Sequence, residues 1–318
     1  MLRRSNVRTP LLLALIVIAA VVAAVAAQQA PTFSAVTQLV VLHATVLDKN
    51  KNFVPNLARE NFKILENGVE QRLKDFKRED VPVSVGILVD NSGSMREKRT
   101  RVNAAALVFV KSSNPQDEVF IVNFNDESFL DKDFTSNVEE LKEGLEKIDS
   151  RGGTAFYDAL IMSLDHVRDR GRKAKKAILL VTDGQDNASR YTLEQAVRVA
   201  HESEAVIYTV GLLSEERGRE GKRAKKALEA ISEASGGVAF FPDSVNEVEA
   251  IAGKIAHDMR NQYVLAYTPS NSAEDGSFRA IKVLASGPGH DKLTVRTRTG
   301  YYATKPGGPS PRPSPTSP

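Results

Sequence analysis

Four nearly continuous apolar runs, residues 83–89, 119–122, 177–181 and 206–210, alternate with stretches whose apolar residues recur every three or four positions. An apolar run without polar alternation is the pattern of a strand buried on both faces, which belongs to a parallel sheet covered by helices. The intervening stripes have the helical period: Val102, Ala106, Phe109 and Val110; Leu160, Ile161, Leu164 and Val167; Leu193, Ala196, Val197 and Ala200. A last helix carries Val245, Val248, Ala252, Ile255 and Met259. Three helix starts place Ser or Thr three residues before Glu or Gln: Ser136 and Glu139, Thr192 and Gln195, Ser244 and Glu247. Each reads as a capping box that satisfies orphan N–H groups reciprocally. Gly236-Gly237 ends the helix before the last one. The alternation predicts an α/β fold: a doubly wound, mostly parallel sheet flanked by helices.

The zones on either side are β in character. Residues 39–47 are β-rich with partial alternation, and residues 62–65 and 69–76 flank Asn67-Gly68, whose two residues tolerate positive φ in a tight hairpin. The far zone offers residues 263–267, 278–284 and 293–297. Isolated hairpins are marginal, so residues 34–80 and 262–303 are expected to pair into one small all-β, sandwich-like domain. The α/β domain, residues 81–261, would be inserted between them, as close chain ends allow.

Residues 1–27 read as targeting rather than fold. Arg3, Arg4 and Arg8 precede an uncharged apolar run, residues 11–27, that ends in small residues at Ala24, Ala26 and Ala27. A cleaved secretory signal fits this pattern, as does an uncleaved N-terminal anchor near the short limit for a bilayer span. Either places the remaining chain in the periplasm, on the cell surface or in the medium, with a membrane contact only through the anchor. Residues 304–318 are rich in Pro and Ser and read as an extended, disordered tail. Lys and Arg number 43 against 40 Asp and Glu, and the three leading arginines are the whole excess. A balanced remainder argues against a nucleic-acid partner. The chain has no cysteine, which removes disulfides, thiolate metal sites and thiol nucleophiles together.

In doubly wound sheets the ligand site lies beyond the carboxyl ends of the strands. The first apolar run is followed by Asp90-Asn91-Ser92-Gly93-Ser94 and the third by Thr182-Asp183-Gly184, while Arg151-Gly152-Gly153-Thr154 opens a helix at the same face. Asp90, Ser92, Ser94, Thr154 and Asp183 are short side chains ending in hard oxygen, a set suited to Mg²⁺, Mn²⁺ or Ca²⁺ rather than zinc. These segments, DNSGSM, GGTAFYDAL and LLVTDGQDN, closely resemble the metal-ion-dependent adhesion site of von Willebrand factor type A domains over about residues 82–261. Flanking segments, including Tyr263-x-Leu265-x-Tyr267 and Arg298-x-Gly300-Tyr301, resemble bacterial secreted proteins related to that family. The resemblance implies a binding module and not an enzyme. It implies that the two serines and, in one conformation, Thr154 touch the metal, while Asp90 and Asp183 act largely through water. An acidic side chain of a partner protein would complete the shell, and the last helix would shift as it does so.

Other readings stand beside this one. A turn with capping hydroxyls would explain Asp90, Ser92 and Ser94 but not Thr154 and Asp183. A metal-dependent assembly subunit of a multiprotein envelope complex is the alternative function. A secreted hydrolase is disfavoured, because neither Ser92 nor Ser94 has glycine two residues before and after it. Asp126 and Asp186 read as solvated loop residues, with outer-shell acids as the alternative. His43, His166, His201, His257 and His290 lack ligand spacing, and most of them read as exposed helix or strand positions. The basic runs at residues 170–176 and 217–226 read as solvated connections.

Overall fold

The computed structural model describes residues 39–304 apart from Glu79 and residues 148–149, 214–217 and 290–291. The targeting segment and all of the C-terminal tail after Thr304 lie outside the described residues, as does His290. In chain order the strands are β1 (Val40–Leu47), β2 (Phe62–Glu66), β3 (Val69–Gln71), β4 (Leu73–Lys77), β5 (Val83–Asp90), β6 (Glu118–Phe124) and β7 (Ser128–Thr135). They continue with β8 (Lys175–Thr182), β9 (Val206–Gly211), β10 (Ala239–Phe240), β11 (Tyr263–Tyr267), β12 (Phe278–Ala285), β13 (Thr294–Arg296) and β14 (Gly300–Tyr302). The helices are α1 (Arg99–Ser112), α2 (Val138–Glu146), α3 (Phe156–Arg170), α4 (Leu193–Glu202), α5 (Arg219–Ser235) and α6 (Val248–Arg260).

The four apolar runs form the interior of a six-stranded sheet ordered β10-β9-β8-β5-β6-β7, parallel except for the edge strand β7. Every residue of β5, β6 and β9 is buried, which is why these strands show no polar alternation. Val83, Val85, Ile87 and Val89 face a core shared with α1, α2 and α6. Leu88, Phe120, Val122, Ile178 and Leu180 face the opposite core, closed by α3, α4 and α5. Gly86 sits where a methyl group would overlap the Phe120 ring, so the glycine makes room for that ring. The sheet is a mostly parallel α/β layer flanked by helices, as the period of the sequence predicts.

The flanking strands form two four-stranded sheets, ordered β13-β1-β11-β4 and β14-β12-β2-β3. Both mix strands from before and after the α/β layer. Val40, Leu42, Ala44 and Val46 of β1 meet Phe62, Ile64, Tyr263, Leu265, Ile281 and Val283 in one apolar core. Asn67 and Gly68 both adopt positive φ, 48° and 82°, and close the β2–β3 hairpin. A buried polar cluster joins α6 to these strands. Asp258 accepts from the Thr45 hydroxyl at 2.9 Å and from the Arg296 guanidinium. Gln262 Nε2 donates to Tyr208 Oη at 3.2 Å.

Several local expectations need correction. The run 69–76 is not one strand: β3 stays with β2, while β4 crosses to pair with β11 in the other sheet. Alternation marks a half-buried strand but carries no information about which sheet it joins. Asn137, not Ser136, caps α2, its side chain accepting from the Glu139 amide at 3.0 Å. Ser244 accepts from the Asn246 amide and opens a 3-10 turn before α6. The capping box at Thr192 and Gln195 is present with both bonds. The basic run from Arg219 to Lys226 is no connection but the exposed face of α5. Lys175 is buried at the start of β8 with its ammonium on the Met259 carbonyl, and burial pushes its pKa down to about 8. His43, His166 and His201 are half-buried, and only His257 of the described histidines is exposed.

Candidate functional site

Strand order reverses at β5, which has β6 on one side and β8 on the other, so a crevice opens beyond its carboxyl end. Asp90 is the last residue of β5 and is fully buried. One carboxylate oxygen accepts the Ser92 amide at 2.7 Å and the other the Thr182 hydroxyl at 2.5 Å. Burial pushes the Asp90 carboxyl up to about 6, and nearby Asp183 pushes the same way. The hydrogen bonds from Thr182 and Ser92 oppose both.

Beyond Asp90 the chain makes a 3-10 turn, Gly93–Met95, pinned by the fully buried Met95 in the α1-side core. The turn brings the Ser92 and Ser94 hydroxyls to 3.1 Å from each other. Ser94 Oγ donates to Asp183 Oδ1 at 2.7 Å, across from β8. The other Asp183 oxygen takes the Lys98 ammonium at 2.7 Å. Asp90, Ser92, Ser94 and Asp183 are therefore one hydrogen-bonded group.

Thr154 reaches the crevice from a separate loop stitched to this turn. Arg151 N donates to Asn91 O at 2.8 Å and Gly93 N to Gly152 O at 3.2 Å. Gly152 has φ +76°, and a side chain there would run into Asp126. Asp126 in turn accepts the Gly153 amide at 2.8 Å. Thr154 is buried, its amide held by Asn187 Oδ1 at 2.8 Å and its carbonyl by the Asn187 and Ala188 amides. A Cβ on Gly184 would lie 4.0 Å from the Thr154 hydroxyl, which puts that hydroxyl beside the Asp183 loop. Among the described residues no hydrogen bond joins it to Ser92, Ser94 or Asp183.

The donor set is two carboxylates and three hydroxyls, all hard oxygen, and it fits Mg²⁺, Mn²⁺ or Ca²⁺. Among the described residues no group of three or more His, Cys, Asp or Glu side chains could hold a metal ion. Beside the site, a cleft of about 710 Å³ is lined by Arg96, Arg99, Asn103, Glu146 and Ser150.

Sequence reasoning missed Lys98, Thr182 and Asn187, which are all polar contacts made across the fold. Thr182 carried a usable signal, because it immediately precedes Asp183 at a strand end. Asp126 is exposed but braces the Gly152-Gly153 loop. Asp186 is not a solvated residue: it accepts the Tyr157 amide at 2.9 Å and the Ser189 hydroxyl at 2.7 Å at the start of α3. Burial pushes its carboxyl upward.

Residues 85–185 match the family model of the von Willebrand factor type A domain, so the chain carries a domain of that kind. It is 23% identical over 227 residues to inter-alpha-trypsin inhibitor heavy chain H4 of Bos taurus, a match covering 65% of this chain and 24% of that protein. The Sus scrofa protein of the same name is 25% identical over 215 residues, 61% of this chain and 22% of that one. The chain thus spans about a quarter of the length of the curated relatives it matches. Among solved structures, a von Willebrand factor type A protein from Catenulispora acidiphila superposes with a TM-score of 0.47 at 13% identity, covering 85% of this chain and 74% of that one. The vWF domain of the type V pili tip protein Mfa5 from Porphyromonas gingivalis gives 0.47 at 15% identity, covering 56% and 95%.

Proposed function

We propose that this chain is an extracytoplasmic, metal-dependent protein-binding module and not an enzyme. Its site would hold one divalent cation, Mg²⁺ by preference with Mn²⁺ or Ca²⁺ as substitutes, and its partner would be a protein presenting an acidic side chain. The observation that carries this reading is the approach of the Ser92 and Ser94 hydroxyls to 3.1 Å with Asp183 hydrogen-bonded to Ser94. Ser92, Ser94 and Thr154 would ligate the ion directly, with Asp90 and Asp183 behind them. A bound dication would offer an open coordination position to a carboxylate, joining strength with orientation.

The chain's own residues prepare that site. Asp90 fixes the turn by accepting the Ser92 amide, so the two serine hydroxyls are aimed before anything binds. Asp183 accepts the Ser94 hydroxyl proton in a hydrogen bond and Ser92 can then donate to Ser94 Oγ at 3.1 Å, which leaves one lone pair of Ser94 Oγ for a ligand. Asn187 holds the backbone of Thr154 from both sides. The described partners of the Ser94 hydroxyl are Ser92 and Asp183, an arrangement for ligation rather than for proton abstraction by an imidazole.

Calorimetric titration of the wild type and Asp90→Ala with MgCl₂ tests the ion. The reading predicts binding to the wild type and its loss in the variant, and equal heats in both would remove the site. Capture of protein partners with and without chelator, repeated with Ser92→Ala, tests the binding role. Capture that is indifferent to chelator would contradict it.

A further inference from the structure

One charge at the site has no place in the metal reading. Lys98 lies four residues beyond Ser94 at the start of α1, held there by its amide on the Met95 carbonyl at 2.9 Å. Its ammonium is 2.7 Å from Asp183 Oδ2, and the two side chains are only 12% and 1% exposed. The other oxygen of the same carboxylate takes the Ser94 hydroxyl. One carboxylate therefore bridges a fixed cation and a candidate metal ligand.

We infer that Lys98 is a tethered counter-cation that lowers the affinity of the site for its divalent ion, an inference resting on the metal reading above. A buried carboxylate without a partner is costly, and Asp183 at 1% side-chain exposure has its charge balanced by Lys98 when no dication is bound. A dication arriving at the serine hydroxyls meets that ammonium a few ångströms away across a single carboxylate. Even at the dielectric constant of bulk water, a unit charge about 6 Å from a dication shifts an equilibrium roughly tenfold. Metal loading is thus an exchange in which Asp183 gives up part of its hold on Lys98. The protein is stable without metal because of this residue and binds metal more weakly because of it.

The two consequences have opposite signs, which separates this role from a merely structural one. The experiment is calorimetric titration with MgCl₂ at fixed ionic strength on the full chain, with melting temperatures in chelator measured in parallel. Lys98→Met and Lys98→Gln should each bind Mg²⁺ at least tenfold more tightly than the wild type while melting lower in chelator. Lys98→Arg, which keeps the charge, should stay within about threefold of the wild type. If the wild type binds and both neutral variants bind equally or more weakly, the inference is overturned and the metal reading stands. If none of the four proteins binds Mg²⁺, the metal reading fails and takes the inference with it.

Discussion

Removing Asp258 should loosen α6 from the flanking sheets more than any other single change at that junction. Its carboxylate accepts from Thr45 on β1 and from Arg296 on β13, and the Asp258 and Arg296 side chains are 6% and 24% exposed. Breaking a buried ion pair by deleting one partner costs about 3–5 kcal/mol, because the other charge is left uncompensated. Arg296 keeps some solvent and a second bond to the Gly236 carbonyl at 3.2 Å, which brings the expected cost of Asp258→Ala to about 2–4 kcal/mol. At roughly 2–4 °C per kcal/mol for a chain of this class, the melting temperature should fall by about 5–15 °C. The chain contains no tryptophan, so urea unfolding is best followed by far-ultraviolet circular dichroism. Arg296→Met in the Asp258→Ala background should recover part of the loss, with a coupling of at least about 1 kcal/mol for residues in direct contact. A cost below about 1 kcal/mol together with negligible coupling would show that the ion pair does not tie α6 to the β strands.

Lys175 makes stability depend on alkaline pH. Its folded pKa of about 8 lies below the ordinary value of 10.5, so between those values the unfolded chain holds more protons and stability rises with pH. The rise should be on the order of 3 kcal/mol, and Lys175→Met should flatten it, as urea unfolding at pH 7.5 and 10 would reveal; equal slopes would refute burial as the cause. Gly86→Ala should cost about 1–3 kcal/mol by overpacking against Phe120, read by the same unfolding assay. Asn187→Ala should free the Thr154 amide, cost about 1–3 kcal/mol of stability for the orphaned donor and weaken Mg²⁺ binding several-fold in calorimetry; unchanged binding would detach the Thr154 loop from the ion.

The α/β layer was legible because burial on both faces leaves a mark on composition. β5, β6 and β9 are buried throughout, so their residues had to be apolar wherever they point. The same physics hid the edge strand β7, whose residues are largely half-exposed and show no continuous apolar run. Asp90, Ser92 and Ser94 were readable as a group because they share one turn, and Asp183 because it follows a buried strand. Lys98 was not, since its role depends on reaching Asp183, 85 positions away along the chain. The paths of β3 and β4 into different sheets were invisible for a related reason. Gln71 ends β3 as a buried residue bonded to Ser270 Oγ at 3.0 Å and to the Ser270 amide at 2.9 Å, a contact no local pattern announces.

The most direct test of the account is where a heavy divalent ion settles. Crystals of the protein soaked in MnCl₂ should give one strong anomalous peak in contact with the Ser92 and Ser94 hydroxyls, and the peak should vanish in Ser92→Ala/Ser94→Ala. A peak elsewhere, or none at the serines under conditions where Mn²⁺ stabilises the protein to heat, would contradict the assignment of Asp90, Ser92, Ser94, Thr154 and Asp183 as its metal site.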